Sequence, residues 1–375
     1  MVLSITKINS QSKQTSFPLF CQNIPNENYF WNMKRLVTFL FFGFCLFFNL
    51  SAQEETSLVK WMKLEDAMKA YEKQPKPIII DFYTDWCGWC KRMMQTTYSN
   101  QGLAAYINQN FYPVKFDAEG KDTIEYLGKK YAPLGVGQRQ THALAAKLLQ
   151  NKLMYPTTLF LNNFDKNKNE FALSMLAAGY LDEKKIEPML VFSLENAFRN
   201  SSFDDFNDQF EKAFLDTSTE RKLKDLKWQL PKAYFSKNEK RKKKTLVYIG
   251  TDWCNACKVM KRTSFIDDSS AAFIKEKFDL LDFNPENTDT VTYKGTTFTN
   301  PHNPQFPFHQ LTLELTRKNF VLPTLVVLDE DMNIVDSVPY FVNATFMQDI
   351  VRYYGDDIFR KKSWKDYQEE KHKPR

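Results

Sequence analysis

The chain has little cysteine, little net charge and no long apolar run. Six cysteines occur in 375 residues, and two of them, Cys21 and Cys45, lie in the first 52. The rest holds only Cys87, Cys90, Cys254 and Cys257. A secreted scaffold stapled by disulfides would scatter its cysteines across longer loops, so that class is excluded. The formal charge is +6, falling to +3 without residues 1–52, where 47 basic face 44 acidic residues. So mild a balance gives no electrostatic footprint for nucleic acid. The apolar stretch Leu36 to Leu50 has fifteen residues, whereas a helix spanning a bilayer needs about 20.

What that stretch fits is a secretory leader. Met33-Lys34-Arg35 is a short positive start, and Leu50-Ser51-Ala52 is a cleavage-type end. Residues 33–52 are therefore read as a signal peptide and residues 1–32 as a polar tail or mis-assigned start. An uncleaved anchor is the alternative, and the membrane enters the reading only through it. Phe44, before Cys45, is too bulky for a lipidated cysteine site. The expected location is secreted or periplasmic.

The four remaining cysteines form Trp86-Cys87-Gly88-Trp89-Cys90 and Trp253-Cys254-Asn255-Ala256-Cys257. Each follows an apolar run, Ile78 to Tyr83 or Leu246 to Ile249, and precedes a basic amphipathic segment that reads as a helix. A pair spaced this way at a helix start meets free backbone N–H groups and the positive end of the dipole, which favour a thiolate. The competing use is zinc. With 163 residues between Cys90 and Cys254 and no histidine near either pair, the ligand spacing of a zinc site is absent.

Both stretches resemble the active site of the thioredoxin superfamily. Its second mark is a proline, cis in that family, opening a strand opposite the cysteines. The candidates are Tyr155-Pro156-Thr157 and Leu322-Pro323-Thr324. An offset of 167 residues superposes Cys87 on Cys254, Trp61 on Trp228, Tyr98 on Phe265, His142 on His309 and Pro156 on Pro323. Such shared spacing indicates two copies of one fold rather than a short-period solenoid. The resemblance implies an α/β protein of two tandem thioredoxin-like domains, each a central mixed β-sheet flanked by helices. The expected division is domain 1 at 53–197, a linker helix at 198–219, domain 2 at 220–355 and a charged tail at 356–375.

Within the first copy, Leu64, Ala67, Met68 and Tyr71 predict a helix to about Lys73, and Trp61 to Lys63 a short strand. The run from Ile78, apolar until Asp81, suits a strand buried on both faces. Further strands are expected at 111–117 and 171–180, a long connection at 118–139, and helices at 142–149 and 183–198. Phe203, Phe206, Phe210 and Phe214 form one helical stripe, either a packed face or a partner groove. Lys240 to Lys244 reads as a solvated turn, with an acidic partner or anionic surface as the alternative.

The resemblance assigns Cys87 as nucleophile and Cys90 as resolving thiol, with Cys254 and Cys257 as a second pair. It gives Asp81, inside the apolar strand, the task of moving the proton of the buried resolving cysteine; a satisfied structural Asp is the alternative. In the second copy Tyr248 replaces Asp81, and a phenol is a poor base at neutral pH. That pair is either a relay to the first or part of a substrate-binding module. Tyr155 and Leu322, before Pro156 and Pro323, would offer backbone to an extended peptide. Trp86 and Trp253 would shield the sulfurs, and Trp89 is either a recognition ring or a plug. His142 and His309 are either packed side chains or hydrogen-bonding groups near the site. The expected activity is thiol–disulfide oxidoreductase, a reductase or isomerase, on protein thiols and disulfides, with an electron donor or acceptor and no metal or dissociable cofactor. A disulfide oxidase and a non-catalytic binding module are the competing readings.

Overall fold

A computed structural model describes residues 57–135, 140–237 and 241–371. The leader, the polar start and Lys240 lie outside these residues.

The first half begins with α1 (Leu64–Lys73), β1 (Ile78–Tyr83), α2 (Gly88–Gln95), α3 (Gln101–Asn110) and β2 (Tyr112–Asp117). It continues with α4 (Ala143–Leu148), β3 (Thr157–Asp165), β4 (Glu170–Ala178) and α5 (Glu183–Leu194). The sheet order is β2-β1-β3-β4, with β1 and β2 parallel and the other pairs antiparallel. Alternate side chains of β1 enter different cores: Ile78, Ile80 and Phe82 pack on one face and Ile79 on the other. That two-sided burial explains why the strand is an unbroken apolar run up to Asp81.

Two linker helices follow, α6 (Phe203–Leu215) and α7 (Thr219–Lys224), then α8 (Pro231–Phe235). The second half repeats the plan with β5 (Lys244–Ile249), α9 (Asn255–Arg262), α10 (Asp268–Lys277), β6 (Phe278–Phe283), α11 (Leu311–Leu315), β7 (Thr324–Leu328), β8 (Ile334–Pro339) and α12 (Ala344–Gly355). Its sheet order, β6-β5-β7-β8, and its pairing senses match the first. The mixed sheet flanked by helices is thus present twice, and the 167-residue offset holds in three dimensions. Met62 bridges Val114 and Gln229 bridges Leu281. Trp61 meets Tyr98 edge-on at 4.8 Å, and Trp228 meets Phe265 at 4.9 Å.

Several local expectations are revised. The closing helix ends at Leu194, because Asn196 adopts a left-handed φ of 57° before a 3-10 turn at Ala197–Arg199. The 118–139 connection contains a hairpin, Ile124–Tyr126 with Lys129–Tyr131, and the second half carries its counterpart at Val291–Tyr293 with Thr296–Phe298. The basic run is only partly a solvated turn: Lys244 is buried at the start of β5 and pairs with Glu330 and Asp357. The charged tail carries a docked helix, α13 (Trp364–Lys371). Trp364 packs on Tyr353 and Phe346, and Lys371 pairs with the buried Asp349.

The halves share a core. Phe192 and Ala197 at the end of the first half join Phe206 and Phe210 of α6 and second-half residues in one buried cluster, which includes Cys254 and Cys257. The phenylalanine stripe is therefore a packed face, and what it packs against is the second cysteine pair's helix. Gln209 of α6 accepts from Thr263 and Ser264 at 2.9 and 3.1 Å, and Arg262 donates to the Ala213 carbonyl at 3.1 Å.

Two cysteine pairs at helix starts

Each pair is a disulfide, Cys87 with Cys90 and Cys254 with Cys257, with Cα atoms 5.3 and 5.2 Å apart. Cys87 and Cys254 are the N-cap residues of α2 and α9. In each, the N–H of the second cysteine donates to the first sulfur at 3.1 Å. A donor and a helix N-terminus aimed at one sulfur stabilise negative charge there and not on its partner. The Tyr155–Pro156 and Leu322–Pro323 bonds are both cis, as the resemblance implies.

Around the first pair the surface is open and aromatic. Trp86 and Trp89 are exposed, and so is Gly88. Trp86 packs edge-on to Tyr155 at 6.2 Å, which brings the residue before Pro156 beside the active-site turn. Trp89 lies over Tyr180 at 5.5 Å, with the Arg92 guanidinium 5.4 Å from its ring. It is an exposed ring braced from one side.

Asp81 is wholly buried on β1, opposite Thr158, two residues past Pro156. The Tyr98 hydroxyl donates to its Oδ1 at 3.4 Å. Burial, helped by the field of Asp81, pushes the Tyr98 phenol well above its ordinary value, so it serves as a neutral donor. Tyr248, at the corresponding place, donates its hydroxyl to the Cys257 carbonyl at 2.8 Å, and burial pushes that phenol far up too. A Cβ on Gly250 would run into the buried Tyr248 ring and hydroxyl, so glycine at 250 leaves room for the tyrosine at 248.

The histidines are structural. His142 Nδ1 accepts the Leu144 N–H at 3.1 Å, and Nε2 meets the Asp122 carbonyl at 2.9 Å. His309 repeats both bonds, to Leu311 at 3.2 Å and Asp289 at 2.8 Å, and burial holds its imidazole below the usual range. His142 is the N-cap of α4, His309 accepts the first N–H of α11 from one residue before its N-cap, and each ties a loop to a short helix.

Three glutamates went unrecognised in sequence. Glu119 and Glu286, 167 residues apart, accept the indole N–H groups of Trp86 and Trp253 at 3.0 Å. Their shared offset was a usable signal. Glu195 has none, since it comes from the first half and reaches the second pair. Its Oε1 accepts the Asn255 N–H at 3.0 Å, and its Oε2 accepts the Ala256 N–H at 2.6 Å and lies 3.3 Å from Cys254 Sγ. Burial pushes this carboxyl up to about 7, against the pull of the two N–H donors and Lys258.

The two sites therefore differ in access. Between the first pair's sulfurs stands Trp89, 56% exposed; the equivalent Ala256 is 0% exposed beneath the first half. Where the first pair holds the exposed Gly88 and Trp89, the second holds the buried Asn255 and Ala256. Trp253 stays exposed, and Leu322 is partly buried against the core.

Comparison with known proteins agrees with this geometry. Residues 49–183 match the family named Thioredox_DsbH, described as "Protein of unknown function, DUF255". Residues 226–312 match Thioredoxin_7, described as "Thioredoxin-like". An uncharacterized protein of Archaeoglobus fulgidus is 31% identical over 70 residues, 19% of this chain and 55% of that protein. The thiol:disulfide interchange protein DsbD of Vibrio vulnificus is 32% identical over 69 residues, 17% of this chain and 12% of that protein. This chain thus spans about half of the first relative and a small part of the second. A solved thioredoxin-fold protein of Helicobacter pylori is 18% identical with a TM-score of 0.28, covering 43% of this chain and 92% of that one. Both halves of the chain are thioredoxin-superfamily domains.

Proposed function

We propose that this protein is a thiol–disulfide oxidoreductase that exchanges disulfides with extracytoplasmic proteins, chiefly through Cys87 and Cys90. The observation that carries the reading is the first site itself: a cysteine pair capping a helix, ringed by exposed Trp86 and Trp89, with Tyr155 of the cis bond beside it and Asp81 buried in the strand beneath.

In this mechanism the Cys87 thiolate attacks a substrate disulfide. A Cys87–substrate bond forms and one substrate thiolate leaves. Asp81 takes the Cys90 proton, and the Cys90 thiolate attacks Cys87 Sγ. The Cys87–Cys90 disulfide closes and the second substrate thiolate leaves with two electrons gained. The reverse sequence oxidises a substrate dithiol, so direction follows the potential of the partner that reloads the pair. The redox groups are the chain's own cysteines, and neither step calls on a metal or a dissociable cofactor. Trp86 and Trp89 offer flat apolar contact to a peptide lying along Tyr155 and Pro156. Cys254 and Cys257 act as a secondary pair, since their helix start lies under the first half. The leader-like stretch from Met33 to Ala52 supports a secreted or periplasmic location.

The test is a trap. Cys90→Ser protein incubated with a disulfide-containing protein should accumulate a mixed disulfide through Cys87, visible as a reducible shift on a gel. The double change Cys87→Ser, Cys90→Ser should abolish it. An equal shift in both variants would refute the assignment.

A further inference from the structure

We infer that Glu195 is the proton partner of Cys254: the first half supplies the second cysteine pair with the acid that its own strand lacks. The inference rests on the reading that the second pair exchanges electrons. Tyr248 stands where Asp81 stands and spends its hydroxyl on the Cys257 carbonyl. A carboxylate does reach this pair, from outside the half that carries it. Glu195 sits 3.3 Å from Cys254 Sγ and is fixed there by two backbone N–H groups of the α9 start. It is the residue directly after α5, and the left-handed Asn196 turns the chain so that Ala197 enters the shared core beside the cysteines. The contact is held by packing on both sides.

Among the described residues the groups facing this carboxylate are few. On α9 they are Lys258, which attracts its charge, and Cys254. Tyr248 of β5 and Tyr106 of α3 lie in its field, and burial holds both as neutral phenols. With the pair oxidised, Cys254 Sγ carries no proton. With the pair reduced, the Cys254 thiol donates to the Glu195 carboxylate, because a thiolate would face a like charge at contact distance.

The exchange then balances as follows. A disulfide acceptor approaches the reduced pair. Glu195 takes the Cys254 proton, and the Cys254 thiolate attacks the acceptor, breaking its S–S bond and releasing one thiolate. Cys257, deprotonated to solvent, attacks Cys254 Sγ, closing the pair and releasing the second thiolate. Two electrons pass to the acceptor. Its two thiolates take up two protons, one of them from Glu195. Reduction by a dithiol runs the same steps backwards.

Proton counting gives a signature that a merely structural cap would not. When Glu195 is ionised in the oxidised state, reduction takes up two protons. When Glu195 is already protonated, forming the thiol–carboxylate pair releases its proton, and net uptake is one. The slope of the second pair's reduction potential against pH should therefore fall to half its steepness on the acid side of neutrality. The experiment uses the full chain in dithiothreitol redox buffers from pH 5 to 8.5, acid-quenched and alkylated, with the Cys254 and Cys257 peptides read by mass spectrometry and each ratio converted to a potential with dithiothreitol's own two-proton pH dependence included. The wild type should show the break below neutrality, and E195Q should keep the full slope there. The wild-type break needs no substitution, so it stands as a test even if the variant folds poorly. A straight wild-type line, a break that persists in E195Q, or a pair that dithiothreitol never reduces would each overturn the inference. The Cys87 and Cys90 peptides from the same samples report the first pair independently, so failure there is distinguishable from failure here.

Discussion

Replacing Asp81 by Asn should make the protein more stable and a poorer catalyst. Asp81 has no exposed surface, and its strand neighbours are Ile78, Ile79, Ile80 and Phe82. Burying a carboxylate costs several kcal/mol, and the 3.4 Å hydrogen bond from Tyr98 is one of the contacts that offset it in part. Asn keeps the shape and still accepts from Tyr98, but carries no charge, so the substitution should stabilise the fold by about 1–3 kcal/mol. In calorimetry that is a rise of a few degrees in midpoint. Catalysis moves the other way. If Asp81 takes the Cys90 proton, its loss removes general-base assistance of about 10²-fold at neutral pH. The deficit should shrink toward pH 9, where hydroxide removes that proton directly. Insulin reduction with dithiothreitol as donor, followed from pH 6.5 to 9, measures it. A rate within twofold of wild type at pH 7, or a variant that melts lower, would refute the reasoning.

Further tests bear on the second half. Tyr248→Phe removes the 2.8 Å bond to the Cys257 carbonyl and should cost about 1–3 kcal/mol in urea unfolding, with insulin reduction unchanged. Gly250→Ala drives a Cβ into the Tyr248 hydroxyl and should cost about 1–3 kcal/mol, relieved when Tyr248 is also truncated. Glu195 binds its proton more tightly folded than unfolded, with a carboxyl raised from 4.5 to about 7. The folded state therefore holds more protons in that window, so stability should fall as pH rises through it and level off above. E195Q should lose that slope, read as urea midpoints at pH 5 and pH 8; equal slopes would count against the buried carboxyl. His142→Ala should lower the melting point by removing a helix cap while leaving the rate of the first pair intact.

The parts of this architecture that are local or repeated were readable in the sequence. The equivalence of Trp61 with Trp228 and of Tyr98 with Phe265 follows from one offset, whereas the packing of the two members on each other came only with the structure. Asp81 was conspicuous as the one charge in an apolar run. The contact of Glu195 with Cys254 was not readable: it joins residues 59 apart through the docking of two halves, and no periodicity reports a docking surface. The docking of the tail helix was hidden for a related reason. Its composition is charged, and what orders it is the packing of Trp364 and Tyr367 on Tyr353. The replacement of Gly88-Trp89 by Asn255-Ala256 was visible, but its meaning, a helix start lying under a neighbouring domain, needed the structure.

The most direct test is insulin reduction by the wild type, Cys87→Ser, Cys254→Ser and the double variant, with dithiothreitol as donor. The account predicts activity in the wild type, near-complete loss in Cys87→Ser and in the double variant, and most of the rate retained in Cys254→Ser. Full activity in Cys87→Ser, or none in the wild type, would contradict it.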